Sequence, residues 1–149
     1  MINILDNSTN KNHRWRLSHL ISGSDKIILC SGWMKYAGLK KLLKDIERSA
    51  LNLDKEIIVY SNKSHTEKKC VEALSVLKNV KHVVVDDAIK KYLHSKIYYF
   101  ESGAEFTAII GSANITVGGL VKNEEVSIEI SGQVGDEEYN KIMPYLSTL

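Results

Sequence analysis

The sequence predicts an α/β protein, a mixed and largely parallel central sheet flanked by helices, and three observations lead there. Short β-branched runs at 26–31, 56–60 and 80–85 alternate with longer segments whose apolar residues fall on one helical face, which is the pattern of βαβ units. After Asp87 the alternation stops, and apolar runs at 93–100 and 105–110 joined by a turn predict antiparallel neighbours. The third observation is size. A chain of 149 residues with 44% apolar and 26% charged side chains reads as one ordinary globular domain, residues 1–149. Such a chain can bury about two thirds of its unfolded surface.

Taken in order, Met1 to Lys11 is rich in asparagine and lacks periodicity, as a short strand or an ordered arm would. Trp15, Leu17, Leu20 and Ile21 share one face of a helix expected over 12–21. Lys26 to Ser31 reads as a buried strand and Gly32-Trp33-Met34-Lys35 as the loop after it, with Trp33 a packing residue ahead of a cleft-lining one. From Ala37 to Leu51 apolar residues at 39, 42, 43, 46 and 50 stand among charges, an amphipathic helix. The strand at 56–60 leads to Ser64, whose spacing from Glu67 is that of a capping box and predicts a helix running to about Leu77. His65 then falls in its first turn as a surface residue. The strand at 80–85 ends in Asp86-Asp87. Beyond the hairpin, 115–121 is a loop or a helix broken by Gly118-Gly119, 125–130 a last strand, and 136–145 a helix that Pro144 stops or bends.

Composition narrows the function classes. No run approaches the ~18 apolar residues of a membrane span, and Met1-Ile2-Asn3 begins no signal peptide, so no membrane partner and a cytoplasmic location are expected. Cys30 and Cys70 lack metal or redox spacing and read as reduced packing residues. A net charge of +2 is only mildly basic. The lysine clusters at 40–44, 63–69 and 90–91 are what solvated helix faces carry, and only Lys90-Lys91 gains from its position, directly before the chemistry-bearing stretch.

That stretch is Leu93 to Ser127. His94 and Lys96 are two apart in a strand-like run and so share one face, and Ser112 and Asn114 share a face just past the next run. An imidazole, an ammonium, a hydroxyl and an amide aimed at one place suit the gripping and attacking of a phosphate. Composition alone gives roughly 0.6 chance His-x-Lys triplets and about 0.06 chance Gly-Ser-x-Asn tetrads, so the triplet says little by itself and the tetrad more. Singly, His94 at a strand start and Asn114 in a turn are ordinary structural residues. The order in which they occur adds the weight.

His94-x-Lys96, then Gly111-Ser112-Ala113-Asn114, then Glu125, resembles the single HKD motif of the phospholipase D superfamily, and in particular its small bacterial nucleases and restriction-endonuclease nuclease domains. Two departures are visible. Glu101 stands where the family has Asp, and nine residues rather than six separate it from Gly111, which reads as a longer turn around Ser102-Gly103-Ala104 and leaves a functional role for Glu101 in question.

The resemblance implies a phospholipase D/nuclease-like fold and a phosphodiesterase. His94 would attack phosphorus to form a phosphohistidine, while Lys96 and Asn114 hold the non-bridging oxygens, assisted by Ser112 and the backbone of the Gly111 turn. Glu125 would hold the other nitrogen of His94, Glu124 pointing away, and Lys91 would add to substrate binding. Such sites use two histidines, one as nucleophile and one as acid, and His13, His19, His65 and His82 carry no matching lysine and tetrad. A homodimer sharing one site is therefore expected. No cofactor is expected, and no metal, because a lysine from each chain supplies the positive charge and no carboxylate or His/Cys cluster has ligand spacing. The expected partner is nucleic acid, DNA ahead of RNA. Base specificity would come from a separate specificity or helicase domain or subunit, as in a restriction or defence system. The competing readings are an inactive phosphate- or nucleic-acid-binding module and a phospholipid phosphodiesterase.

Overall fold

A computed structural model describes residues 1–149. Its elements are β1 (Ile2–Asp6), α1 (His13–Gly23), β2 (Lys26–Ser31), α2 (Tyr36–Ala50), β3 (Glu56–Asn62), α3 (Lys68–Ser75), β4 (Val80–Val85), β5 (Lys96–Ser102), β6 (Glu105–Gly111), β7 (Val126–Gln133) and α4 (Glu137–Leu146). A single π-helical turn at Gly118–Lys122 lies between β6 and β7. No helix is long and apolar enough to cross a membrane.

The seven strands form one sheet in the order β1-β7-β6-β5-β2-β3-β4. It is mixed and flanked by helices, as expected, but its parallel part is the smaller one. Only β2-β3 and β3-β4 pair in parallel, while β1-β7, β7-β6, β6-β5 and β5-β2 are antiparallel. The reason is connection length. A parallel pair needs a crossover, which α2 and α3 provide, whereas β5 and β6 are joined by the two-residue turn Gly103-Ala104 and have no helix between them.

Alternation along the buried strands sorts side chains to two faces. Ile27, Leu29, Tyr98 and Phe100 join Leu17, Ile21, Leu39, Leu42, Cys70 and Leu74 in a core under α1, α2 and α3. Ile28, Cys30, Ile97, Tyr99 and Phe106 meet Ile142 and Leu146 of α4 on the other face. Cys30 and Cys70 are buried free thiols, pushed up to about 12 and about 11 by burial.

Four local expectations change. Ser64 caps nothing: 63–65 is a separate 3-10 turn capped by Asn62, and α3 starts only at Lys68. The Glu67 carboxylate instead accepts the Tyr36 N–H at 3.0 Å, so the expected box partner serves the first turn of α2. The fifth strand begins at Lys96, not Leu93, and the seventh at Val126, not Glu125. Pro144 does not stop α4, which continues to Leu146 from an Asp136 cap; the last turn simply lacks the N–H donor that Pro144 cannot supply.

Candidate active site

Sheet register brings distant parts of the sequence to one rim. Ser31 at the end of β2 lies opposite Lys96 at the start of β5, Ile110 of β6 lies opposite Ile97, and Gly111 lies opposite Ser127 of β7. Residues just before β5, just after β6 and just before β7 therefore emerge side by side. This rim is also the carboxyl end of the parallel strands β2 and β3, where open α/β sheets leave a crevice for ligands.

His94 lies in extended chain two residues before β5 and is exposed. Its Nε2 is 3.1 Å from Lys96 Nζ, and that ammonium also donates to the His94 carbonyl oxygen at 2.8 Å. The two side chains thus share a face although His94 is outside the strand. An ammonium has no acceptor, so facing a charged Lys96 the imidazole Nε2 is the accepting nitrogen and Nδ1 carries the proton. Burial pulls the Lys96 pKa down, and the charge of Glu125 works against that pull.

Asn114 sits in the chain after β6. Its amide oxygen accepts the Trp33 backbone N–H at 3.2 Å and faces the Ser31 hydroxyl at 3.4 Å. Ser31 Oγ in turn donates to the Trp33 carbonyl at 2.5 Å and accepts the Ile115 N–H at 2.8 Å, while the buried Tyr98 hydroxyl donates to the Ala113 carbonyl at 2.6 Å. These bonds pin residues 113–115 against the end of β2. With its oxygen turned to backbone, Asn114 is left with its NH2 donors for a ligand.

Ser112 donates to the Glu125 carboxylate and accepts the Val126 N–H at 3.2 Å. Glu125 was expected to hold His94; in the chain its carboxylate is bonded to Ser112 and not to the imidazole. The physical reason is that Glu125 precedes β7, where the Gly111–Ser127 pairing sets it beside the Ser112 hydroxyl. Gly111 is where β6 presses on β7: a Cβ there would stand 2.5 Å from Ser127 Cα. Lys91 is exposed and reaches a neighbouring groove rather than the His94–Lys96 pair. Glu101 belongs to the far end of β5, where it pairs with Lys26 at 3.8 Å and accepts the Tyr99 hydroxyl at 2.7 Å, which gives it a structural place.

Sequence reasoning missed part of the surroundings. A cleft of about 510 Å³ beside the pair is lined by His94, Lys96, Gly111 and, from α4, Lys141, Ile142 and Tyr145. An adjoining groove of about 480 Å³ holds Lys90, Lys91 and Tyr92 and shares Ser95 and Tyr145 with the first. Trp33 is not packed away but 37% exposed at the rim. His13 is fully buried, its Nδ1 2.7 Å from Asn7 Oδ1 and its Nε2 2.8 Å from Ser127 Oγ. Asn7 Nδ2 donates to the Gly119 and Asn123 carbonyls, so Nδ1 is the protonated nitrogen of His13 and the arm before α1 is tied to the loop that carries Glu125. Burial lowers the His13 pKa, against the pull of the Glu125 and Asp6 charges. No periodicity signals such a contact, since Asn7, His13 and Ser127 meet only through the β1–β7 pairing.

Comparison with known proteins gives the family and the fold. Residues 11–149 match the model of the NgoFVII restriction endonuclease N-terminal PLD domain. Sequence comparison with curated proteins gives no match. Among solved structures, Nuc from Salmonella typhimurium, a phospholipase D family member, superposes with a TM-score of 0.72 at 13% identity, covering 99% of this chain and 90% of that one. NucT from Helicobacter pylori gives 0.69 at 16% identity, over 99% and 92%. A variant of yeast tyrosyl-DNA phosphodiesterase 1 gives 0.64 at 15% identity, over 99% of this chain but 37% of that one. A family match across nearly the whole chain, together with the fold shared with Nuc and NucT, places the protein in the NgoFVII restriction endonuclease N-terminal PLD domain family.

Proposed function

We propose that the protein is a metal-independent, homodimeric endonuclease acting on DNA through a phosphohistidine, the nuclease part of a restriction or defence system. The observation that carries this reading is the imidazole Nε2 held 3.1 Å from an ammonium at the mouth of a cleft. A phosphodiester entering between them takes over the Lys96 donor and meets the freed Nε2 lone pair. Lys96 and the Asn114 NH2 then neutralise the non-bridging oxygens as charge builds on them. Nε2 forms the bond to phosphorus and the bond to the leaving oxygen breaks; that oxygen needs a proton, or a poor alkoxide departs. No other imidazole of this chain shares a hydrogen bond with a lysine, so the proton is assigned to the partner's His94 across a twofold axis. In the second half, water attacks the phosphohistidine and gives its proton to the same imidazole.

Glu125 acts in this scheme through the groups it faces. It orients the Ser112 hydroxyl and its charge favours the protonated form of Lys96. The rim beyond the cleft exposes Ile110, Val126 and Ile128, an apolar margin suited to a second copy. Metal independence is supported by the residues: no three His, Cys, Asp or Glu side chains lie together where they could hold a metal ion. The separate specificity or helicase component would read bases, since backbone contacts carry none of that information.

The test is DNA hydrolysis by the purified dimer in EDTA. Activity is expected to persist there and to be lost in His94→Ala, with acid-labile phosphate trapped on His94 during turnover. DNA binding by His94→Ala should fall steeply with salt, as counterion release requires. Cleavage that appears only on adding Mg²⁺, or full activity in a strictly monomeric species, would overturn the scheme.

A further inference from the structure

Beside the pair stand aromatic rings that the phosphate chemistry does not use. Trp33 from the β2–α2 loop stacks on His65 from the β3–α3 connection, with centroids 4.2 Å apart and planes at 12°. His65 meets the edge of Tyr92 at 5.7 Å, and the Tyr92 centroid is 5.9 Å from that of His94. Trp33 Nε1 donates to the Tyr92 hydroxyl at 3.1 Å, which locks the two rings in orientation. The set is built, from three loops, yet it is not buried: Trp33 is 37% and Tyr92 42% exposed.

A large ring left 37% or 42% exposed forgoes part of the stabilisation that full burial would give it. Lysines interleave with the rings. Lys35 Nζ lies 5.9 Å over the Trp33 ring, and Lys90 and Lys91 flank Tyr92 along the groove that joins the cleft. Aromatic faces along a positively charged groove are what a strand of nucleic acid needs, backbone on the lysines and bases on the rings. The continuity of the groove with the His94–Lys96 cleft fixes which base is concerned.

We infer that Trp33 and Tyr92 form a stacking platform for an unpaired base next to the phosphate held at His94. The inference rests on the nuclease reading and specifies its substrate. In a duplex both faces of a base are covered by its neighbours, so a ring reaches a base face only where the nucleotide is single-stranded, terminal or swung out. His65 backs Trp33 and holds its plane, and the Asn114 amide bonded to the Trp33 backbone ties the platform to the group that grips the phosphate.

The experiment uses His94→Ala protein, which binds without turnover, and measures fluorescence anisotropy with oligothymidylate, with an abasic oligomer of the same length, and with duplex DNA. Oligothymidylate is expected to bind about 10-fold more tightly than the abasic strand, the scale of one base on an aromatic side chain. Adding Trp33→Ala or Tyr92→Ala should remove that difference while leaving abasic binding in place, and Tyr92→Phe should keep it. As a check independent of those variants, oligothymidylate should quench Trp33 emission in a Trp15→Phe protein, and the abasic strand should not. Equal affinity for the base-bearing and abasic strands would overturn the platform and leave the nuclease reading standing. Failure to bind any of the three at low salt would overturn both.

Discussion

Gly119 offers a single methyl group as a probe of how far catalysis depends on the placement of Asn114. It lies in the π-helical turn, packed on the Asn114 backbone, and a Cβ there would stand 2.7 Å from Asn114 N and closer still to its carbonyl oxygen. Ordinary carbon contacts begin near 3.5 Å, so in Gly119→Ala either the turn or Asn114 must move by about an ångström. Overpacking of this kind costs about 1–3 kcal/mol, against a typical domain stability of about 5–15 kcal/mol, so the protein stays folded. A misplacement of about 1 Å at a positioned group costs about 100-fold in rate. The expected result is therefore a modest drop in the urea midpoint together with a fall of about two orders of magnitude in kcat/KM for phosphodiester cleavage. Gly23→Ala is the control. Nothing lies within 4 Å of its Cβ position at the end of α1, so it should raise stability by up to about 1 kcal/mol and leave the rate alone. A Gly119→Ala protein with an unchanged rate would refute the claim that this backbone contact sets the Asn114 position.

Three further outcomes follow from the same geometry. Arg16 makes a bidentate pair with the buried Glu129, Nε to Oε2 at 2.8 Å and a terminal nitrogen to Oε1 at 2.5 Å; Arg16→Met should cost about 3 kcal/mol, because it strands a desolvated carboxylate, and adding Glu129→Met should recover part of it. Urea midpoints decide this, and a double variant as damaged as the sum of the singles would refute it. Burial lowers the pKa of His13 and of His82, whose Nε2 is 2.8 Å from Ser61 Oγ. The unfolded chain therefore binds more protons than the folded one as pH falls through about 6.5, and stability drops from pH 7 toward the folded-state values. His13→Gln with His82→Gln should flatten the pH dependence of the urea midpoint between pH 7 and 5.5, and an unaltered slope would refute the assignment. Finally, Glu125→Gln should lower the pKa of Lys96 further by removing the opposing charge, and should move the alkaline limb of the rate profile to lower pH; an unmoved limb would separate Glu125 from Lys96.

The sequence by itself determined the α/β class and most of the elements, and it singled out the residues to which the chemistry is assigned under the proposed function. Periodicity located the strands and helices from α1 onward, α3 starting later than the Ser64 cap suggested, because burial on one face or two is written in the spacing of apolar side chains; β1, in a stretch without periodicity, was left open between a strand and an arm. His94, Lys96 and Asn114 were legible because each closes or opens such a run, and the rim of a sheet is where run ends collect. The tertiary structure decided who meets whom. Glu125 bonds Ser112 rather than His94, Glu67 caps α2 rather than its own helix, and Trp33 stands open beside Tyr92, because register between strands and the meeting of loops are set by long-range pairing that no local window contains. The buried His13 makes the same point: it bonds Asn7, six residues before it, and Ser127, 114 residues after it, and these three meet only when the first strand closes on the last.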